Sequence, residues 1–163
     1  MAEVSAPKIL IIYYSKTGTT KKVVDIIKTY ISSDLILIEP EKDYPEGYFA
    51  TGMVALFRSD NPPKNEIPDV SNYDTILLGT PIWYGGLSTP MKSFLNRLDL
   101  SEKNIGVFST NRGGNDNGPH DDIVKRYPNA KVFPDYLNLN AKVYDGSEEP
   151  VLQWLQKIGL LHQ

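Results

Sequence analysis

Four short apolar runs, residues 9–13, 35–38, 75–78 and 105–108, contain no alternating polar positions. Runs of this length and character predict strands buried on both faces. Between them apolar residues recur at helical spacing: Val23, Ile27, Tyr30 and Ile31, then Met91, Phe94, Leu95 and Leu98, and finally Val151, Trp154, Leu155 and Ile158. Thr89 reads as an N-cap before Pro90 at the first helical position. Pro119, Asp121 and Asp122 open a segment that closes on Lys125 and Arg126, with charges that match the helix dipole. A further helix is expected over residues 48–58, where Phe49, Met53, Leu56 and Phe57 share a face that Gly52 interrupts. A last strand is expected near Lys131, Val132 and Phe133. The polar stretch from there to Asp145 and Gly146 reads as an extension or loop.

Strand and helix alternate, which predicts an α/β domain with about five parallel strands and helices on both faces. Parallel neighbours need right-handed crossovers, and these lay helices over the sheet in three doubly wound layers. The 163 residues are 40% apolar and 23% charged, without repeat, linker or low-complexity tract, so one domain over residues 1–163 is expected. A chain of this size buries roughly 70% of its extended surface and needs no staples. The cluster at residues 61–65 is a local loop.

There is no cysteine, which removes disulfides, thiolate metal sites, iron–sulfur clusters and a cysteine nucleophile. Redox chemistry would have to come from a bound organic cofactor. The two histidines, His120 and His162, supply neither a metal site nor a conventional base relay. Seventeen basic and twenty acidic residues give a net charge of -3, which argues against nucleic acid or an anionic membrane as partner. The first residues lack the basic start and apolar segment of a secretory signal, and a cytoplasmic chain is expected. No apolar run approaches the about 20 residues that span a bilayer.

Open parallel sheets bind ligands beyond the carboxyl ends of their strands, where strand order reverses. Three segments there are unusual. Ser15, Lys16, Thr17, Gly18, Thr19 and Thr20 follow the first strand and open a helix. Hydroxyls and backbone N–H groups at a helix start suit a phosphate. The spacing fits neither a nucleoside-triphosphate loop nor a dinucleotide fingerprint, which favours a terminal monophosphate. A ligand-free N-cap turn is the alternative. The second segment, residues 79–86, places Trp83 and Tyr84 among glycines and proline. Either a flat ring stacks there, with roughly 0.5–1.5 kcal/mol beyond area burial, or Trp83 packs under the loop and only Tyr84 is exposed. The third, residues 109–118, is polar and glycine-rich, and suits either the edge of a heteroaromatic ring or a surface loop.

Together, Tyr14 to Thr20, then Tyr73 and Asp74 leading through Leu78 to Gly85 and on to Phe94 and Leu95, then Phe108 to Gly114, resemble the flavodoxin family across almost the whole chain. The resemblance implies strand order 2-1-3-4-5 and FMN as cofactor. Ser15, Thr17, Gly18, Thr19 and Thr20 would hold the phosphate. Thr80, Pro81, Ile82, Trp83, Tyr84 and Gly85 would flank the isoalloxazine, with Ser109, Thr110, Asn111, Arg112, Gly113, Gly114 and Asn115 along its other edge. Lys16 would point to solvent. A main-chain carbonyl between Ile82 and Gly85 would accept the proton that flavin N5 gains on reduction. No side chain need act as acid or base.

Two features depart from the electron-carrier flavodoxins, the mild net charge and Arg112 in the third loop. A cation about 7 Å from reduced anionic flavin, at an effective dielectric near 20, would stabilise it by roughly 2 kcal/mol and raise a one-electron potential by about 100 mV. If Arg112 swings outward to pair with Asp116 or another acid, the effect is at most a few tenths of a kcal/mol. The expected function is therefore an FMN-dependent electron carrier that serves redox partner proteins as a monomer or weak dimer. The alternatives are an FMN-dependent NAD(P)H:quinone or nitro-compound reductase in the same fold and a cofactor-free interaction module. A phosphoacceptor domain of the same topology is excluded: the positions that need carboxylates hold Tyr14, Ser15, Gly79 and Thr80.

Overall fold

A computed structural model describes residues 6–113 and 116–162. The elements in chain order are β1 (Ile9–Tyr13), α1 (Thr19–Tyr30), β2 (Asp34–Leu37), α2 (Tyr48–Phe57), β3 (Thr75–Trp83), β4 (Gly86–Leu87), α3 (Thr89–Leu95), β5 (Asn104–Asn111), α4 (Gly118–Arg126), β6 (Lys131–Val132), β7 (Leu137–Asn140) and α5 (Glu149–Lys157). The sheet runs β2-β1-β3-β5-β6, with β7 continuing the β6 edge along β5 and β4 folding back on β3. Apart from β4 every pairing is parallel. The parallel order is 2-1-3-4-5, with the fifth strand in two pieces.

Side chains alternate across a strand, and β1 shows the consequence. Ile9, Ile11 and Tyr13 meet Val23, Val24 and Ile27 of α1 and Val151, Trp154 and Leu155 of α5. Leu10 and Ile12 face the opposite layer, with Met91, Phe94 and Leu95 of α3 and Ile123 of α4. All five residues of β1 are buried, as a central parallel strand requires. β2 sits at the edge, where Leu35 and Leu37 remain 41% exposed. The loop at residues 61–65 lies along the end of that edge: the Asn65 side chain donates to the Leu37 carbonyl at 2.9 Å, and Lys64 N–H donates to Glu39 at 2.7 Å. Such cover blunts a free strand edge. Among the described residues no helix is long and apolar enough to cross a membrane.

The largest departure from the sequence pattern is strand length. β3 and β5 both run past their apolar centres, so Gly79, Thr80 and Pro81 pair with Phe108, Ser109 and Thr110. Ser109, Thr110 and Asn111 were expected in a polar loop and are instead buried strand residues. Ladder bonds and side-chain hydrogen bonds satisfy their polar groups, which removes the cost of burying them. Gly79 lets the two strands carry a large side chain between them, because a Cβ there would overlap the Phe108 ring. Phe108 in turn meets Trp154 edge-on, with ring centroids 5.7 Å apart.

The stretch expected as loop after Phe133 contains β7. Residues 133–136 stand opposite only residues 106–107 of β5, so the fifth strand bulges between β6 and β7. Pro134 lies in the bulge and can give no ladder hydrogen bond. Side chains take up its carbonyls: Trp154 Nε1 donates to Asp135 at 3.1 Å, and His120 Nε2 lies 2.9 Å from the Phe133 oxygen. The N-cap of α3 is Ser88, not Thr89. The Ser88 hydroxyl accepts from Thr80 Oγ1 at 2.9 Å, which ties the helix start to β3.

Buried Tyr127 and half-buried Tyr136 make stability depend on alkaline pH. Burial pushes the Tyr127 phenol up to about 12, and its hydroxyl donates to the Leu98 and Leu95 carbonyls at 2.9 and 3.2 Å. Burial likewise pushes Tyr136 up to about 12, against a smaller opposing effect from its hydrogen bond with Ser109. Both lie above the about 10 of an unfolded tyrosine. The native chain therefore keeps protons that the unfolded chain releases, and this contribution is complete below pH 10 and lost as pH rises towards 12. The urea midpoint should hold up to about pH 10 and then fall, each tyrosine adding at most about 1.4 kcal/mol per pH unit. Tyr127→Phe should give a shallower fall, and a slope identical to wild type would contradict the assignment.

Candidate functional site

The carboxyl ends of β1, β3 and β5 meet at one end of the sheet, and α2 lies over it. After β1 the chain turns tightly into α1: Ser15 Oγ accepts from the N–H groups of Gly18 at 3.1 Å and Lys21 at 3.2 Å. Gly18, the N-cap, has φ 91°, a left-handed conformation that a Cβ would strain. No acidic residue occupies the first turn of this twelve-residue helix, so no carboxylate there offsets the positive end of its dipole. Lys16, Thr17, Thr19 and Thr20 line a cavity of about 370 Å³ at this helix start.

The second segment is a hairpin. Trp83 pairs with Gly86, and the two residues between them, Tyr84 and Gly85, have φ 51° and 73°. Positive φ at both central positions is the geometry of a type I′ turn. For Tyr84 this conformation costs roughly 1–2 kcal/mol. Two contacts hold it in place. Tyr84 OH donates to the Gly52 carbonyl of α2 at 2.5 Å. Gly118, at the start of α4, packs so closely on the Gly85 carbonyl that a Cβ would overlap it. Trp83 is half-buried and meets Tyr14 and Tyr44 edge-on, with centroids 5.6 and 4.9 Å apart. Burial, then the neighbouring Tyr44 and Asp43, push the Tyr14 phenol up and keep it neutral.

A chain of side-chain hydrogen bonds supports the third segment. Asn138 Oδ1 on β7 accepts from Ser109 Oγ at 3.0 Å and from Asn111 Nδ2 at 2.8 Å, and Asn111 Oδ1 accepts the Gly113 N–H at 2.9 Å. Tyr136 OH lies 2.5 Å from Ser109 Oγ. The first and third segments are tied directly by Thr20 and Thr110, whose hydroxyls are 3.0 Å apart.

A second cavity of about 500 Å³ lies between α2, the hairpin and the end of β5, with Phe49 and Met53 on one side and Tyr84, Arg112 and Asp116 among the residues facing them. Both cavities are lined by Thr51, Ile82, Trp83, Asn111 and Arg112, so they form one bent cleft. One arm ends at the start of α1 with hydroxyls, the other between apolar and aromatic walls.

Of the residues expected from sequence, Thr17, Thr19, Thr20, Pro81, Ile82, Trp83, Tyr84, Gly85, Thr110, Asn111, Arg112 and Gly113 line this cleft. Ser15 shapes the turn from behind, and Gly18 fixes its backbone. Thr80 and Ser109 are buried and spend their hydroxyls on Ser88, Tyr136 and Asn138, one layer behind the wall. Gly114 and Asn115 lie outside the described residues. Lys16, expected to face solvent, is half-buried and lines the arm at α1. Lys142, just past β7, also lines that arm, and Phe49, Gly52 and Met53 of α2 line the other. None of these four was singled out for the site. The alternation of Leu137, Asn138, Leu139 and Asn140 was the local signal for the strand that delivers Lys142. No local signal places α2 over the cleft.

A flavodoxin family model matches residues 8–158. Among solved structures, the chain is similar to a Lactobacillus acidophilus flavoprotein in complex with FMN, at 26% identity over 82% of this chain and 93% of that one, TM-score 0.70. It is also similar to a protein assigned as a flavoprotein from Bacteroides eggerthii, at 22% identity over 93% and 98%, TM-score 0.75. Oxidised Flavodoxin 1 from Bacillus cereus shares 19% identity over 93% and 96%, TM-score 0.57.

If Tyr84 OH holds α2 over the cleft, Tyr84→Phe should raise amide hydrogen exchange in α2 about fivefold, the equivalent of about 1 kcal/mol for one lost hydrogen bond. The exchange of β1 and β5 should not change. Equal exchange in α2 of both proteins would show that the contact carries no energy.

Proposed function

Because the chain belongs to the flavodoxin family, we propose that it is an FMN-dependent electron-transfer protein that shuttles electrons between a reductase and an acceptor protein. The observation that carries this reading is the bent cleft, whose two arms match the two chemically distinct ends of FMN. The arm at α1 offers a helix start without an acidic residue, the hydroxyls of Thr17 and Thr19 and the charge of Lys16, which suit a terminal phosphate. The other arm offers apolar and aromatic walls from Phe49, Met53, Ile82 and Tyr84, which suit a flat ring system. Bound FMN would supply the redox chemistry.

The chain's residues bind, orient and tune. Gly18 allows the turn that aims the α1 N–H groups at the phosphate arm. The Thr20–Thr110 contact keeps the phosphate arm in register with the end of β5. Asn138, through Asn111, holds the Gly113 N–H in place at the other edge. α2 keeps water from one wall of the ring arm, and a drier site strengthens the effect of nearby charges on a redox centre. Arg112 lines both arms and favours a more electron-rich ring than an acidic loop would. A main-chain carbonyl between Ile82 and Gly85 would accept a ring N–H.

A second reading, an FMN-dependent NAD(P)H:quinone or nitro-compound reductase, is favoured by Arg112 and by the apolar side chains of α2 beside the ring arm. Steady-state NAD(P)H oxidation with a quinone separates the two. The carrier reading expects turnover only when a partner reductase is added, and fast turnover by the protein alone would replace it with the enzyme.

The cofactor assignment has its own test. Gly18→Asp adds a carboxylate at the phosphate arm and a Cβ at φ 91°. It should weaken FMN binding at least about a hundredfold, as expected when one charge repels another in a partly dry site. Affinity unchanged in a fluorescence-quenching titration would refute the placement of the phosphate.

A further inference from the structure

The arm of the cleft at α1 concentrates positive charge. Lys16, Arg112 and Lys142 line it, and among the described residues around it there is no Asp or Glu. The whole chain carries a net charge of -3, so average composition does not account for three cations and no carboxylate around one cavity of about 370 Å³. Paired cations lie elsewhere: Lys21 with Asp25 at 2.8 Å, Arg97 with Asp60 at 3.1 Å and Arg126 with Asp122 at 3.0 Å. Among the described residues neither Lys16 nor Lys142 has a carboxylate within ion-pair distance.

The two lysines are far apart in sequence, and the fold fixes the backbone of each. Lys16 sits inside the turn that Ser15 Oγ holds by accepting from Gly18 N–H at 3.1 Å. Lys142 lies in a turn fastened to the end of β5. Ala141 N–H donates to the Asn111 carbonyl at 2.6 Å, Lys142 N–H to Asn140 Oδ1 at 2.9 Å, and Tyr144 N–H to the Asn140 carbonyl at 2.8 Å. Only the two side chains are left to order around a ligand, which keeps the entropic cost of binding low.

On the reading that the ligand is FMN, we propose that Lys142, acting with Lys16, is a specificity-determining residue: the two ammonium groups clamp the phosphate and select the phosphorylated flavin over riboflavin. Charge balance favours this assignment. A phosphate monoester carries about -1.5 to -2 at neutral pH, whereas a helix start supplies the equivalent of only about half a positive charge. Two lysines make up the difference. A flavin without phosphate leaves both ammonium groups in the arm without a counter-ion, which selects against it. Lys142 is exposed and Lys16 half-buried, so salt screens the contribution of Lys142 more strongly.

Fluorescence-quenching titrations of the full chain with FMN and with riboflavin test the clamp. Lys142→Gln should weaken FMN binding about tenfold, as loss of one charge-assisted contact does, and leave riboflavin affinity unchanged. Lys142→Arg keeps the charge and should retain most of the FMN affinity. Added salt should weaken FMN binding by wild type more than by Lys142→Gln. Wild-type FMN affinity in Lys142→Gln would overturn the proposal. Equal losses for FMN and riboflavin would overturn it too, because they would assign the lysine to the fold of the turn. Wild type that binds both flavins equally would remove the clamp and leave the flavin site standing, whereas wild type that fails to bind FMN would sink the cofactor reading on which the clamp rests.

Discussion

The pairing of β3 with β5 sets the position of almost everything in the cleft. It runs in unbroken register from Thr75 opposite Asn104 to Pro81 opposite Thr110, through the apolar centre and out into polar sequence. Without the outer part of that ladder, Thr80, Ser109 and Thr110 would be loop residues in water. With it they are buried and their hydroxyls are committed: Thr80 to Ser88 at the start of α3, Ser109 to Tyr136 and Asn138, Thr110 to Thr20 at the start of α1. Each of these bonds fixes another element relative to the sheet. A buried hydroxyl left unpaired costs about 1–3 kcal/mol, so the set is strongly biased to form together.

Strain and closure meet at the hairpin. A tyrosine with φ 51° is an uncommon choice where glycine or asparagine would be unstrained. Its ring spans the opening, and its hydroxyl reaches the Gly52 carbonyl. A glycine at this position would relieve the backbone and release the roof. On the other side of the turn, Gly118 allows α4 to approach the Gly85 carbonyl. The turn is thus held from two sides by contacts distant in sequence, which is how a strained conformation persists.

The electrostatics of the two arms differ because their backbones differ. At the phosphate arm the helix start and the half-buried Lys16 provide a positive field, and exposed Lys142 adds to it from the other side. At the ring arm Arg112 and Asp116 carry opposite signs beside an otherwise apolar wall. This difference matches a ligand with its charge at one end and its conjugated surface at the other.

Much of this architecture was legible in the pattern of residues. The doubly wound layers, the position of β1 and the helices at 118–126 and 149–157 follow from short apolar runs, helical spacing and charges that match helix dipoles. The hydroxyl-rich turn at residues 15–20 could be placed at a helix start because its chemistry is local, carried by six consecutive residues. Other features had no local signature. Ser109 to Asn111 look like loop because their burial depends on partners at 136 and 138. Lys142 reaches the cleft past a bulge around Pro134 that shifts the register of the fifth strand by two residues. Helix α2 could be foreseen, but its place over the cleft depends on contacts between residues far apart in the chain, among them the hydrogen bond between residues 52 and 84. Periodicity and composition report what a segment can do with its immediate neighbours. Which polar residues are buried, and which apolar ones are left facing outward, was decided by contacts between segments far apart in the chain.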